Sequence, residues 1–271
     1  MTHVCILPQK NPQCLEKTIN EDLKSLIKWF SNNKLLLNVH KCQFMLIVSG
    51  LKLREFENIK IMIESSQLKK VTECKYLGVI LDENLSWTPQ IDSVNLKVLK
   101  VFHATKRVRQ FVDQKTSLLL YKTLIQPHFD YCNIIWMAGH EHKLGRLQVL
   151  QNRCLRMVLG VNSRFNRDTL YNILKVDRLK DRQEKQSLIF IFKLLHNLAP
   201  PSLSSKVEFK TLNNYTLRNT NTQIALIKPR TNFIRNSPEY TACILFNNLP
   251  IDIRTIVSLK TFTKSIMNLS M

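Results

Sequence analysis

Four side chains with metal-binding chemistry lie close together in the middle of the sequence: Cys132, His140, His142 and Cys154. Structural zinc sites hold four such ligands in a tetrahedron, and their ligands usually come in closely spaced pairs. Here seven residues separate the first cysteine from the first histidine, eleven separate the second pair, and no Cys-x-x-Cys knuckle occurs. The spacing therefore favours side chains without a metal ion over a zinc site.

Clustered carboxylates are the second possible source of chemistry, because nucleotidyl transfer uses two metal ions held by acidic side chains. The acidic pairs of the first third are Glu21-Asp22 and Asp82-Glu83. The first pair lies in a helical pattern, where neighbouring side chains point about 100° apart. The second lies in a predicted turn. Neither predicts a catalytic pair, and no glycine-rich phosphate loop, His-Glu-x-x-His or Gly-x-Ser-x-Gly motif occurs.

Cysteine spacing and hydropathy indicate an intracellular protein, in the nucleus or the cytoplasm. Seven cysteines, an odd number at irregular intervals, are typical of reduced thiols. The first residues lack the basic flank and apolar stretch of a secretory signal. No run of 18 apolar residues occurs, so we expect neither a transmembrane segment nor a membrane partner.

Positive charge is the first indication of a partner. The 271 residues carry 40 lysines and arginines against 20 acidic residues, a net charge of +20. That charge is +3 over residues 1–90, +7 over 91–160 and +10 over 161–271. A nucleic acid is the natural polyanion for such a chain, since lysine and arginine displace counterions from phosphates. A merely solvated surface and an anionic membrane are the alternatives.

Hydrophobic periodicity predicts a short α/β beginning and a helical remainder. Residues 15–31 have the helical period, and strands are predicted at 35–48, 59–63 and 71–81. After Trp87 the period becomes helical again, with helices at 90–111, 114–126 (closed by Pro127), 143–159 (ended by Gly160), 168–175 and 178–197. Residues 202–271 have a weaker pattern, in which polar stretches alternate with short apolar runs. The helix at 90–111 places Lys97, Lys100 and Arg107 together on a basic face. Beside that face lies an apolar stripe of Val94, Val98, Val101, Thr105 and Val108.

Seven short runs then stand out in order along the chain. Trp29-Phe30 and a leucine run precede Lys41 and Phe44, and Lys75-Tyr76-Leu77-Gly78 continues through Asp82 to Trp87. The others lie at 121–136, 144–156, 215–219, 229–231 and 246–250. In this order they resemble the part of non-LTR retrotransposon (LINE- or jockey-like) reverse transcriptases that follows the catalytic hairpin. The tryptophans, Trp29, Trp87 and Trp136, are expected in the core rather than as stacking platforms for bases.

The resemblance implies an α+β, mainly helical fold. Residues 1–87 would form the C-terminal part of a truncated polymerase palm, with few strands, a helix and the primer-grip hairpin. Residues 88–130 would form a helical thumb. Residues 131–271 would form a basic, helical or mixed C-terminal extension.

The same resemblance implies roles for individual residues. Lys41 matches a lysine near the incoming triphosphate. The turn that presents the primer end would be formed by Lys75, Tyr76, Leu77 and Gly78. Phosphates of the duplex would be contacted by Lys97, Lys100 and Arg107, and less directly by Arg153 and Arg156. For each of these, a solvent-exposed or core residue without that role is the alternative.

No catalytic residue is carried over from the resemblance. Thr2 matches the threonine that follows the family's paired aspartates, so Met1 stands where the second aspartate would be. We therefore expect a reverse-transcriptase fragment without the Asp-Asp box, inactive alone, with Mg²⁺ needed only by the intact parent enzyme and no cofactor in this chain. The expected partners are an RNA template and an RNA–DNA or DNA primer duplex. The alternative is a non-catalytic relic that still holds RNA or an RNA–DNA duplex through its basic helices and tail.

Overall fold

The structure is a computed structural model that describes residues 11–48, 54–56, 58–138, 141–205, 207–209, 222–226 and 228–269, without the side chains of residues 141, 142 and 233. It is mainly helical with small sheets. Its internal contacts divide the chain into two compact units, Met1–Gln90 and Ile91–Met271. The assignment of residues 1–87, 88–130 and 131–271 to palm, thumb and extension stays a prediction. Within the described ranges, no helix is both long and apolar enough to cross a membrane.

The first unit begins with helix α1, Pro12–Asn32, as the periodicity predicted. Asn11 caps it, because its side-chain oxygen accepts a hydrogen bond from the backbone N–H of Gln13 at 2.9 Å. Asn20 on α1 fixes the helix to the strand region. Its side chain donates to the carbonyl of Lys60 at 3.2 Å and accepts from the N–H of Met62 at 2.9 Å.

Three two-stranded sheets follow α1. Strand β1 (Gln43–Phe44) pairs in parallel with β4 (Lys69–Lys70), and β2 (Met62–Ile63) pairs antiparallel with β3 (Ser66–Gln67). β5 (Glu73–Tyr76) and β6 (Val79–Asp82) form an antiparallel hairpin. A buried apolar cluster lies under α1 and these strands: Leu15, Leu46, Phe56, Ile59, Ile61, Ile63 and Leu68.

All three predicted strands differ from the structure. Of the 59–63 run, only residues 62 and 63 form a strand. Of the 35–48 run, only residues 43 and 44 form a strand, and Val39–Lys41 form a 3-10 turn. Leu35 and Leu36 are exposed, whereas Leu37 and Val39 are partly buried against the apolar cluster of this unit. The 71–81 run is two strands, because the chain reverses at Leu77 and Gly78, where both φ angles are positive.

The second unit begins with α2, Thr88–Val108, whose first residues lie at the unit boundary, and a 3-10 turn at Arg109–Phe111. Next come α3 (Gln114–Leu120), a π-helical turn (Tyr121–Ile125), α4 (Gln126–Asp130) and α5 (Asn133–Trp136). The prediction that Pro127 closes the helix is therefore wrong, because Pro127 lies inside the helical continuation. Pro127 has no N–H and its ring would crowd a carbonyl one turn earlier. The π turn removes that conflict, with the N–H of Gln126 donating to the carbonyl of Tyr121.

Three long helical segments then confirm the periodicity: α6 (Glu141–Leu159), α7 (Arg167–Leu174) and α8 (Leu179–Leu195). Gly160 ends α6 with φ +73°, as its position in the sequence predicted. The N–H of Val161 donates to the carbonyl of Arg156 at 3.1 Å and that of Gly160 to Met157 at 3.2 Å. This is a Schellman end, which needs the left-handed conformation that glycine adopts without strain.

The tail holds helices that periodicity did not reveal: α9 (Pro201–Ser204), α10 (Asn232–Arg235), α11 (Pro238–Asn247), α12 (Ile251–Arg254) and α13 (Leu259–Asn268). α11 and α13 pack on α8. Phe262 of α13 stacks on Phe192 of α8 with ring centroids 4.3 Å apart, and its ring centroid lies 6.3 Å from that of Phe246 in α11. Ser237 before Pro238 was an overlooked signal, since serine caps α11 and proline favours a first helical turn.

Replacing Phe262 by alanine tests whether the tail belongs to the core of the second unit. The side chain is fully buried among three helices, so Phe262→Ala should lower the free energy of unfolding by about 3–5 kcal/mol. Urea unfolding followed by circular dichroism measures the change. Thr261→Ala, at the exposed neighbouring position, is the control and should unfold like the wild type. Equal midpoints for both variants would mean that α13 is not packed as described.

Candidate nucleic-acid interface

The hairpin of β5 and β6 presents the residues Lys75 to Gly78 at its tip. Tyr76 pairs with Val79, so the connection is the two-residue turn Leu77-Gly78 with φ angles of 45° and 87°. Positive φ at both positions matches the twist of the strands and produces a tight reversal. Lys75 and Leu77 are exposed, with 69% of Leu77 accessible, whereas Tyr76 is half-buried. The geometry therefore brings the four predicted primer-side residues together at an exposed turn.

Asp82, expected in an ordinary turn, instead has a structural role at the end of β6. It is buried, and its carboxylate oxygens accept from the backbone N–H groups of Ser86 and Trp87, both at 2.9 Å. Burial alone would raise the pKa of this carboxyl, but the hydrogen bonds from Ser86 and Trp87 outweigh it and hold the pKa below its ordinary value. The carboxylate shapes the connection from the hairpin to α2.

Lys41 ends the 3-10 turn Val39–Lys41 and is exposed. Its backbone N–H donates to the carbonyl of Asn38 at 3.0 Å, which closes the turn. In the part of the chain that the structure describes, no three histidine, cysteine, aspartate or glutamate side chains converge as metal ligands. The structure thus places Lys41 on the surface without defining a triphosphate site around it.

The basic face of α2, defined as Lys97, Lys100 and Arg107, lies opposite the buried side of that helix. All three side chains are exposed, while the inward positions are buried: Ile91, Val94, Val98, Phe102 and Thr105. Val108, expected on the apolar stripe, is exposed. Lys97 also lies near α4, since burial and then the charge of Lys97 lower the pKa of His128.

Contacts with α6 hold α2 in this orientation along most of its length. Asp92 pairs with Arg146 at 2.8 Å, and Thr105 reaches the sulfur of Met157 at 3.8 Å. Further along, Arg109 donates through Nε to the carbonyl of Met157 at 3.1 Å. The positions ascend together in both helices, so α2 and α6 run in the same direction. The basic face consequently points away from α6.

Arg153 and Arg156, the weaker sequence candidates, differ in the structure. Arg153 is exposed, and its guanidinium carbon lies 5.0 Å from the centre of the Phe102 ring, a cation–π contact between α6 and α2. Arg156 is half-buried and donates to the carbonyl of Phe165 at 3.3 Å, in the loop after α6. Arg153 can therefore still meet a phosphate, whereas Arg156 holds a loop.

Other residues of the matched runs lie inside a buried amide–tyrosine network, defined as Gln148, Gln151, Asn152, Tyr121 and Tyr171. Gln148 donates to the Tyr171 hydroxyl at 2.6 Å, and Gln151 donates to the Tyr121 hydroxyl at 3.1 Å. Tyr171 donates to Asn152. Burial raises the pKa of both tyrosines, that of Tyr171 to about 12, so both are neutral at pH 7. These residues build the core rather than a binding surface.

Asp130 and Trp136 of the 121–136 run are structural as well. The Asp130 carboxylate receives two hydrogen bonds from Arg182 of α8, one of them at 2.7 Å from Nη2 to Oδ2. Trp136 is fully buried and donates through Nε1 to the carbonyl of Tyr131 at 2.8 Å. The expectation of a core tryptophan is confirmed for Trp136. Trp87 is half-buried and Trp29 is about half-exposed.

The possible zinc ligands do not form a described site. Cys154 is buried, and burial raises the pKa of its thiol to about 12. Cys132 lies in the short connection before α5 and is half-buried. His140 and the side chain of His142 lie outside the described residues, as do Thr2 and the 215–219 run.

Comparison with known proteins identifies transposon polymerases as similar sequences. No protein-family model and no solved structure matches the chain. A probable RNA-directed DNA polymerase from transposon X-element of Drosophila melanogaster is 26% identical over 131 residues, covering 47% of this chain and 14% of that protein. The corresponding protein of transposon BS from the same species is 23% identical over 128 residues, covering 45% and 14%.

The RNA-directed DNA polymerase from mobile element jockey of Drosophila funebris is 24% identical over 169 residues, covering 60% of this chain and 18% of that protein. These similarities confirm the resemblance to transposon reverse transcriptases that the ordered runs indicated. The chain spans between 14% and 18% of the length of these relatives.

Replacing Asp82 by asparagine tests its role in the hairpin-to-α2 connection. The asparagine amide keeps the shape of the side chain but can turn only one oxygen toward the two N–H groups. The free energy of unfolding of Asp82→Asn should therefore be lower by about 1–2 kcal/mol at neutral pH. The folded pKa is lowered, so the stabilisation by the carboxylate is present above the usual carboxyl pKa and is lost as the pH falls through the folded value.

Urea unfolding of the wild type and Asp82→Asn at about pH 7 and about pH 3 measures that dependence. The difference in unfolding free energy between the wild type and Asp82→Asn should be large at about pH 7 and smaller at about pH 3. Glu73→Gln, an exposed acid-to-amide change in β5 opposite Asp82, is the control and should show little difference at either pH. A pH-independent effect of Asp82→Asn would contradict the proposed hydrogen bonding of the ionised carboxylate.

Proposed function

We propose that the chain is part of an RNA-directed DNA polymerase of a non-LTR retrotransposon, and that it contributes to holding the primer and template. The observation that carries the proposal is the similarity to three transposon polymerases, which extends over about half of the chain. The order of the matched runs from residue 29 to residue 250 supports a common origin over most of the sequence.

The basic face of α2 would bind the phosphate backbone. Three cations lie on one exposed face, and their helix is held against α6, so binding a ligand requires no rearrangement of the helix. Between residues 97 and 122 the chain carries seven basic residues and one acidic residue. Contacts of this kind do not read the base sequence. Indifference to sequence suits a polymerase, which must hold every part of its template.

The hairpin tip would lie beside the primer. Gly78 has φ +87° and no side chain, which lets another backbone approach closely. Lys75 projects a positive charge from the same tip. Lys75, Tyr76, Leu77 and Gly78 would thus support the primer by shape and one charge, and take no part in bond formation.

Polymerisation by the proposed parent enzyme would depend on metal ions, since two-metal nucleotidyl transfer uses carboxylates that converge on the ions. Among the described residues, no three histidine, cysteine, aspartate or glutamate side chains converge as metal ligands. Asp82, the buried carboxylate of the hairpin, accepts hydrogen bonds from two backbone N–H groups. Lys41 would lie near the incoming triphosphate, as the resemblance implies.

The proposed ligand is an RNA template paired with a DNA or RNA–DNA primer strand. Replacing Lys97, Lys100 and Arg107 together by glutamine should weaken binding of such a duplex and flatten its salt dependence. Loss of three phosphate contacts should reduce the slope of log K against log salt by about 2 to 3. Fluorescence anisotropy with a labelled RNA–DNA duplex at several salt concentrations measures this slope.

A triple variant elsewhere in the second unit controls for net charge. Lys228, Lys260 and Lys264 are exposed, and replacing them by glutamine removes the same charge from the α10–α13 region. This control should retain the slope of the wild type. Equal slopes for both triple variants would refute the assignment of phosphate contacts to α2, and no binding by the wild type would refute the proposed role as a whole.

A further inference from the structure

Among the described side chains, Phe111 is the most exposed aromatic residue, with 79% of its surface accessible. It ends the 3-10 turn Arg109–Phe111 between α2 and α3. Burial of a phenylalanine is favourable by roughly 2–3 kcal/mol, so its exposure leaves that gain unrealised. By comparison Phe129, Phe192 and Phe246, in the same unit, are at most 1% exposed. Packing in the core therefore does not account for an aromatic ring at this position.

Tight anchoring of the backbone on both sides makes the exposure of Phe111 a fixed feature. Before it, the Arg109 side chain donates to the carbonyls of Met157 and Val158 on α6 and, at 3.0 Å, to the carbonyl of Val112. After it, the Asp113 carboxylate caps α3 by accepting from the N–H of Thr116 at 2.9 Å. The ring is therefore held outward by a turn that is tied to α6 and α3.

Cations flank Phe111 along the chain. Arg107 and Lys106 lie about one helical turn before Phe111, and Lys115 lies four residues after it in the first turn of α3. The nearest acidic side chain in sequence, Asp113, is engaged by the α3 cap, which holds its pKa below the ordinary value through hydrogen bonds from Thr116. An apolar ring in a positive setting suits a ligand that is aromatic and anionic at once.

We propose that Phe111 is a stacking platform for an unpaired base of a single-stranded nucleic acid. The phosphates of the strand would contact Arg107 and Lys100 of the basic face, and one base would stack on the ring. Every base has a π face, so such stacking tolerates any sequence. The inference rests on the proposed function, to which it adds a site for single-stranded template or primer next to the duplex site.

A hydrophobic protein partner is the competing occupant of Phe111. Val108 and Leu119 are also exposed nearby in sequence, but Lys106, Arg107, Lys115 and Lys122 lie among them. Desolvating four cations for an apolar contact is costly, whereas a nucleic acid neutralises them. Charge complementarity therefore favours the nucleic acid.

Four substitutions in the full chain test the stacking role. Phe111→Ala and Phe111→Leu remove the aromatic ring, and the leucine keeps most of its apolar volume. Phe111→Trp keeps a stacking ring and adds a fluorescent reporter to the three native tryptophans. Leu119→Ala removes an exposed aliphatic side chain from the same region and serves as the matched control. Both positions are exposed, so the fold should tolerate each change.

Binding of a labelled oligouridylate of about 12 nucleotides is the measurement, with an RNA–DNA duplex as the second probe. Phe111→Ala and Phe111→Leu should weaken oligouridylate binding about 5- to 100-fold. The salt slope should be unchanged, because stacking displaces no counterion. Phe111→Trp should bind at least as tightly as the wild type, with quenching of the added fluorescence, and Leu119→Ala should bind like the wild type.

Three outcomes would overturn the inference and are distinguishable. If the wild type binds oligouridylate and Phe111→Ala binds it equally well, Phe111 does not stack on a base, and the proposed function is untouched. If the wild type binds neither probe, the proposed function fails together with the inference. An equal loss for Phe111→Ala and Leu119→Ala would indicate a general apolar contact and would also overturn the stacking role.

Discussion

The amide–tyrosine network on the buried side of α6 is the constraint on which the second unit depends. Gln151 and Asn152 are almost fully buried, and an amide buried without partners costs roughly 1–3 kcal/mol. The buried amides have hydrogen-bond partners only when several helices and turns pack together. Gln151 needs the Tyr121 hydroxyl and the carbonyl of Asp177, and Gln148 needs the N–H of Leu179. The positions of the π turn, α7 and the start of α8 are thereby fixed against one helix.

The outer surface follows from that core. One side of α6 is occupied by the network, and another carries the contacts to α2 through Arg146, Arg153 and Met157. α2 can bury only the side that faces this packing, so its charged positions remain outside. Arg109 contributes twice, since the same guanidinium binds carbonyls at the end of α6 and holds the turn that exposes Phe111. Core packing thus orients the residues proposed to meet nucleic acid.

Residues that share one matched run need not share one role. In the run at 144–156, Gln151 and Asn152 are internal, while Arg153 is exposed over the Phe102 ring. In the hairpin run, Asp82 binds backbone N–H groups, while Lys75 is exposed at the tip. Similarity to transposon polymerases accounts for both kinds of residue, because a polymerase needs a defined scaffold as well as a surface for its substrates. The structure separates the two by burial and hydrogen bonding.

The sequence by itself determined the long helices, the basic character and the resemblance to reverse transcriptases. Periodicity located α1, α2, α6 and α8 because apolar residues recur along each at the helical spacing, and Gly160 marked the end of α6 because the chain there adopts a left-handed conformation. Tertiary structure decided what depends on partners distant in the chain. The tail helices α11 and α13 are stabilised by packing on α8, and the internal role of Gln151 depends on a tyrosine thirty residues away. The exposure of Phe111 is fixed by Arg109 reaching across to α6, a contact between positions about fifty residues apart that no local pattern encodes.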